Sequence, residues 1–186
     1  MRLWLLRHAR VLLPPGLCYG ASDVAADADL TGAAAMAIAP LLPAGLAVRV
    51  SDLGRAQQLA RALRAQRADL GEMRTDARLR EMDFGTWELQ AWDAVPKSAF
   101  DGWMADFGTH RFGGAEQVDG LIGRVADALD ETRAAVGPNG EALWITHAGV
   151  IRSALFLSAH GRRAIASVQE WPREAPETGG WVAIEV

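Results

Sequence analysis

Arg7, His8, Arg55, Glu81 and His147 are the residues of this chain whose types and placement suit group-transfer chemistry. Each falls at or shortly beyond the end of a predicted strand. Two imidazoles, two guanidinium groups and a carboxyl meeting in one crevice suit phosphoryl transfer through a covalent phosphohistidine. A histidine nucleophile splits one hard displacement into two easier ones. The transferring phosphoryl group spreads charge over its equatorial oxygens, and fixed cationic donors stabilise it. Arginine fits because its planar fork matches phosphate geometry and stays charged. The departing alkoxide needs a proton, which a carboxylic acid supplies. Taken singly, each residue has a plainer reading. His8 alone reads as a packed or capping histidine, and the arginines as surface ion pairs with Asp23 or Asp52, which usually contribute little. Arg55 is predicted in a helix's first turn, where positive charge opposes the macrodipole, and this favours the anion reading. A metal held by His8, His147 and Glu81 would be repelled by two guanidinium groups, so no metal and no cofactor is expected.

The elements that must position these groups follow from hydrophobic period and turn residues. Leu3-Trp4-Leu5-Leu6 is an apolar run of the kind found in a strand covered on both faces. It places Arg7 and His8 at a strand's carboxyl end, where ligands bind in open α/β sheets. A loop rich in Pro and Gly follows, with Tyr19 and Gly20 near the expected pocket mouth. Asp29 or Thr31 is expected to cap a helix over about 32–42, ended by Pro40 and Pro43. The second strand is predicted at 46–50, and Ser51 or Asp52 as the cap of a helix reaching about Arg67. A third strand is expected near 72–76, with 78–84 as the loop leaving it. Residues 116–136 repeat Val118, Leu121, Ile122, Val125 and Leu129 at helical spacing. Residues 142–145 read as the next strand, ending in Thr146-His147, and a helix is expected over about 149–160. Two short strands are expected in the tail, near 164–168 and 180–186. Strands alternating with helices predict an α/β fold: a three-layer sandwich with a mostly parallel central sheet and helices on both faces.

Residues 86–114 differ in character. Trp87, Trp92, Phe100, Trp103, Phe107 and Phe112 crowd there among Gly, Asp and Pro96. The stretch is predicted to be an irregular, partly helical insertion in a single domain spanning 1–186. It reads first as a minor core and second as a lid, with Trp87, Trp92 or Trp103 facing a substrate. His110 and His160 read as surface or helix-end residues.

At the chemical residues the chain resembles the histidine phosphatase superfamily, with the phosphoglycerate mutase-like fold. Leu5-Leu6-Arg7-His8 is similar to the family's opening Arg-His-Gly motif. Gly20-Ala21-Ser22-Asp23 and Leu30-Thr31 match its next landmarks. Ser51-Asp52-Leu53-Gly54-Arg55-Ala56-Gln57-Gln58-Leu59-Ala60 is similar to the segment with the second phosphate arginine. Leu79-Arg80-Glu81-Met82-Asp83-Phe84-Gly85-Thr86-Trp87-Glu88 resembles the segment with the acid/base glutamate. Gly114-Ala115-Glu116 stands where many members have Gly-Glu-Ser, and Thr146-His147-Ala148-Gly149-Val150-Ile151-Arg152 resembles the second histidine motif. Ala9-Arg10-Val11 replaces the usual Gly-Glu-Thr, and the first loop is unusual. These departures bear on substrate more than on chemistry. The segment from Glu81 to Glu88 and the compact length are most similar to α-ribazole-phosphatase-like members.

The resemblance implies roles. His8 is the nucleophile, neutral and with its second ring N–H held by a backbone carbonyl. Arg7, Arg55 and His147 hold the phosphoryl oxygens, and Arg7 and Arg55 help keep His8 unprotonated. Glu81 protonates the leaving oxygen and then activates water, with Asp83 as the fallback carboxylate. Tyr19 and Gly20 are expected near the substrate. The implied activity is that of a phosphomonoesterase, with α-ribazole 5′-phosphate as the candidate substrate. A phosphoglycerate mutase-type phosphomutase and a silent phospho-ligand-binding module are the alternatives.

Composition bounds the partners. The chain has 186 residues, half of them hydrophobic, with a formal net charge of −4. That balance argues against nucleic acid as the main partner and is compatible with a local pocket for a small anion. Cys18 is the only cysteine, which fits a reducing cytoplasm. Arg7, His8 and Arg10 interrupt any signal-peptide core, and Pro40 and Pro43 break the Ala-rich stretch, so no membrane segment is expected. Oligomeric state is not legible.

Overall fold

Strand β1, Arg2–Arg7, sets the layers. Its side chains alternate across the sheet. Leu3 and Leu5 enter one core, while Trp4 and Leu6 enter another, and all four are buried. Strand β4, Glu141–Thr146, divides in the same way, with Trp144 on the first side and Leu143 and Ile145 on the second. A sheet apolar on both faces requires a helical layer on each. The computed structural model, which describes residues 1–186, provides both.

The sheet has five strands in the order β3-β2-β4-β1-β5, with β2 at Ala47–Val50, β3 at Met73–Thr75 and β5 at Trp181–Glu185. β1, β2, β3 and β4 run parallel, and β5 pairs antiparallel with β1. Helices α1 (Ala28–Ile38) and α2 (Gly54–Gln66) cover the Trp4–Leu6 face through Ala35, Ile38, Leu59 and Leu63. Helices α4 (Val118–Val136) and α5 (Ala148–His160) cover the other through Leu121, Val125, Ile151 and Ala154. Helix α3 (Lys97–Ala105) lies in the aromatic stretch. The predicted three-layer architecture is therefore observed.

This topology creates the crevice. β1 and β4 are neighbours, but β1 leads towards α1 on one face and β4 towards α5 on the other. Their exits part at the strands' carboxyl ends, where open α/β sheets take their ligands. The His8 N–H donates to the Thr146 carbonyl at 3.0 Å, so His8 and His147 stand at one level of the sheet.

Three local expectations are corrected. Helix α1 begins earlier than predicted, because Asp27, rather than Asp29 or Thr31, caps it by accepting from the Leu30 N–H at 3.0 Å. Neither Ser51 nor Asp52 caps α2. Its N-cap is Leu53, and its Gly54 N–H donates to the distant Asp23 carboxylate at 2.6 Å. Asp52 instead pairs with Arg80 at 2.5 Å. Residues 164–168 form no strand, because side chains take their backbone donors. The Ile165 N–H goes to Asp119, and the Ala166 N–H to Glu170.

Candidate active site

His8 is almost fully buried and pinned on both sides of its backbone, its carbonyl accepting from the Gly179 N–H at 2.9 Å. Its Nδ1 lies 2.7 Å from the Ala9 carbonyl. A carbonyl only accepts, so the ring proton sits on Nδ1 and the lone pair on Nε2. Nε2 has no protein partner. Burial, then the Arg55 charge, then that of Arg7 pull the His8 pKa down to about 3, against a smaller upward effect of the Ala9 bond. The imidazole is neutral across the physiological range.

His147, the N-cap residue of α5, is fully buried, its ring centroid 5.0 Å from that of His8. Its Nε2 is 2.8 Å from the Ser51 Oγ, which also accepts from the Leu53 N–H at 3.3 Å. Nε2 accepts from the hydroxyl when the ring proton sits on Nδ1 and donates to Oγ when it sits on Nε2. Nδ1 is buried and has no protein partner. Burial, then Arg55, lowers the His147 pKa well below the ordinary histidine value, so this ring is also neutral. Ser51 was expected as a helix cap, and its role on His147 was not legible from sequence.

Arg55 is fully buried in the first turn of α2. Its Nη1 and Nη2 donate to the Ser22 and Gly20 carbonyls at 2.8 and 2.6 Å. Those bonds orient the fork and leave Nε without a partner. Arg7 is arranged alike, with Nη1 donating to the Pro176 carbonyl at 2.9 Å and a buried, unpartnered Nε. Tyr19 lies edge-on to His8 at 6.4 Å, with the Arg55 guanidinium 5.4 Å from its ring centre. Gly20 is required by close approach, since a Cβ there would lie 1.9 Å from the Met82 carbonyl oxygen.

Glu81 rests on the start of α5. Its two carboxylate oxygens accept from the Gly149 N–H at 3.1 and 3.0 Å, and Oε1 also from the Met82 N–H at 3.0 Å. Helix N-termini favour such a carboxylate. The fallback residue, Asp83, is committed elsewhere, accepting from the Gly85 N–H at 2.8 Å within its own turn. Two residues that sequence reasoning passed over build the loops. Glu88 accepts from the N–H groups of Gly20, Ala21, Ser22 and Phe84 and from the Ser22 hydroxyl. Burial pushes the Glu88 carboxyl up, but these donors outweigh it and hold it below the usual range. Arg124 donates to the carbonyls of Arg78, Arg80 and Glu81 and pairs with Glu116 at 2.7 Å.

The aromatic stretch is mainly a minor core around fully buried Phe112, on which Trp103 stacks at 4.4 Å and Trp92 at 6.3 Å. Of the three candidate lid tryptophans, Trp103 lines a cavity shared with Glu81.

All five groups singled out in the sequence thus converge. Arg7 and Arg55 both act on the ionisation of both imidazoles, and Glu81 acts on Arg55. Two imidazoles 5.0 Å apart and two guanidinium groups, three of these four residues with a buried nitrogen that has no protein partner, make a setting suited to an oxyanion.

The chain is similar to known proteins in sequence and in fold. The sequence model described as histidine phosphatase superfamily (branch 1) matches residues 3–162. No curated protein matches the chain by sequence. Among solved structures, TTHB049 from Thermus thermophilus is 27% identical, with TM-score 0.72 over 100% of this chain and 94% of that one. The mycobacterial glucosyl-3-phosphoglycerate phosphatase Rv2419c shares the fold at 23% identity, with TM-score 0.79 over 98% of this chain and 88% of that one. The family match runs from β1 to just past α5, through every segment that delivers a group to the crevice, and the chain belongs to the histidine phosphatase superfamily, branch 1.

Proposed function

We propose that the protein is a phosphomonoesterase acting on a small phosphate ester through a phosphohistidine at His8. The supporting observation is the set of unpaired atoms. Arg7 Nε, Arg55 Nε and His147 Nδ1 are buried without protein partners; Arg7 precedes His8 in the chain, the His147 ring lies 5.0 Å from the His8 ring, and the Arg55 charge acts on His8, whose Nε2 makes no protein bond. Buried donors are seldom left unmade, because the desolvation cost is large. A phosphoryl group satisfies all three and brings phosphorus to Nε2.

In the first step the Nε2 lone pair forms the N–P bond as the P–O bond to the alcohol breaks. Glu81 gives its proton to the departing oxygen. In the second, Glu81 takes a proton from water, the water oxygen bonds to phosphorus, and the N–P bond electrons return to Nε2. Inorganic phosphate leaves and the enzyme regains its starting state. Arg7, Arg55 and His147 hold the equatorial oxygens throughout, so the charge on the phosphoryl group meets fixed donors rather than reorganising solvent. The positive charge that such a transfer needs is supplied by guanidinium groups, and the reaction is read as metal-independent and cytoplasmic. α-Ribazole 5′-phosphate is the leading substrate candidate, supported by the likeness of the Glu81–Glu88 segment to α-ribazole-phosphatase-like sequences. The partner is a small phosphorylated molecule, with neither nucleic acid nor membrane.

The test is phosphate release from a panel of small monoesters that includes α-ribazole 5′-phosphate and glucosyl-3-phosphoglycerate, with His8→Ala as control. Release abolished by His8→Ala supports hydrolysis. Exchange of phosphate between positions without release would identify a mutase, and binding without turnover a silent ligand module.

A further inference from the structure

Three other buried donors have no acceptor: Trp87 Nε1, Trp103 Nε1 and Arg152 Nε. Two of their residues, Trp103 and Arg152, line a single cavity of about 110 Å³ that reaches Glu81 and Gly149. The walls are aromatic. Trp103 stacks on Phe107 at 5.5 Å, and Phe107 meets Trp171 edge-on at 5.9 Å. Arg152 comes from α5, the helix whose first turn carries Glu81. Gly149 and Arg152 are three residues apart and therefore share a face. Arg152 and Trp171 also line a separate cleft of about 330 Å³ with Gln169 and Arg173.

A second, polar cleft of about 460 Å³ also reaches Glu81. Its main cations are already engaged, Arg80 with Asp52 and Arg124 with Glu116. Unmet hydrogen-bonding demand therefore lies on the aromatic side.

We propose that the aromatic cavity beside Glu81 seats the substrate's leaving group and selects a planar ring bearing an acceptor nitrogen or oxygen. This rests on the phosphomonoesterase reading, which puts the leaving oxygen at Glu81. Aromatic walls favour a flat π-face. The indole N–H of Trp103 and the Nε–H of Arg152 supply donors that a purely aliphatic alcohol leaves unpaired, and a site built to hydrogen-bond a group discriminates strongly against its absence. Arg152 is placed to serve as donor rather than counter-ion, since its only protein hydrogen bond is from Nη2 to the Arg173 carbonyl at 3.3 Å. The cavity volume suits one ring.

The test reads the indole N–H signals of the seven tryptophans in the full-length protein. Trp103→Phe identifies the Trp103 signal by its loss. Pyridin-3-ylmethanol, at slightly alkaline pH, is expected to move that signal downfield, and benzyl alcohol, equal in size without the ring acceptor, to move it far less. The signals of Trp4 and Trp144, already bonded to Glu141 and Thr132, are expected to stay. In turnover, the kcat/KM preference for pyridin-3-ylmethyl phosphate over ethyl phosphate is expected to fall about tenfold in Trp103→Phe and in Arg152→Met. A Trp103 signal unmoved by either alcohol, or moved equally by both, overturns the proposal, as does a preference unchanged in both variants. Failure to release phosphate from any ester would overturn the phosphatase reading by itself. The indole titration, which needs no turnover, still decides whether the cavity takes an acceptor-bearing ring.

Discussion

Burial and two neighbours set the protonation of His8: the Ala9 carbonyl fixes its proton on Nδ1, burial keeps the ring neutral, and Arg55 reinforces that. The linkage has a definite sign. An imidazole at about 3 in the folded chain and about 6.5 when unfolded leaves the unfolded state holding more protons between those values. Stability is therefore lost as pH falls from about 6.5 towards 3. Between pH 7 and pH 5 the loss from His8 is about 2 kcal/mol, and His147 adds loss in the same direction. Denaturant titrations at the two pH values should show a smaller drop in His8→Asn than in the parent. The same shift removes His8 from the acid limb of the rate profile. Glu81→Gln keeps the side chain's shape and loses the transferable proton, so kcat is expected to fall more on alkyl esters than on an aryl ester with a good leaving group, and equal losses would contradict Glu81 as the acid. Ser51 offers a separate check. Ser51→Ala leaves His147 without the hydroxyl that orients it, and kcat is expected to fall about 10- to 100-fold, as for other residues that orient a functional histidine, with KM changing less. The five chemical groups were legible because their residue types fall near predicted strand ends and because the motifs around them resemble the histidine phosphatase family in order, a resemblance on which the choice of Glu81 among its neighbouring carboxylates rests. Ser51, Glu88 and Arg124 were not, because their function lies in contacts between segments far apart in sequence, where local pattern carries no signal.

At the scale of elements, α5 and the loop before it form one working part. A Cβ at Gly149 would lie 2.2 Å from Glu81 Oε1, so Gly149→Ala must displace the carboxylate. Misplacement of a reacting group by about 1 Å costs on the order of 100-fold, and kcat for Gly149→Ala is expected to fall by that amount with its unfolding transition near that of the parent. β1, β4, α4 and α5 were legible because a both-sided apolar run and a 3.6-residue stripe are strong local signals. The starts of α1 and α2 were less so. Asp27, Asp29 and Thr31 all suit a cap, and only the fold selects Asp27. α2 takes its acceptor from Asp23, 31 positions away in the chain. The expected tail strand at 164–168 failed because Asp119 and Glu170 capture its donors.

At the scale of the whole molecule, the crevice exists because β1 and β4 are adjacent and send their helices to opposite faces. Apolar pattern predicted strands and helices but did not order them, since strand neighbours and the antiparallel sense of β5 depend on packing across the chain. Leu5 sits at the centre of β1, fully buried and opposite Trp144. Leu5→Ala is expected to cost about 2–5 kcal/mol in denaturant unfolding, with activity lost in step with folded protein. Under the proposed phosphatase reading, the arrangement serves one covalent event at one atom. The most direct measurement is to mix the protein with a turned-over monoester, quench it in alkali, and locate the phosphoryl group by mass spectrometry and phosphorus NMR. The geometry predicts a single phosphohistidine at His8, linked through Nε2 and absent from His8→Ala. Phosphorus on another residue, on His8 Nδ1, or on no residue at all while phosphate is being released would contradict it.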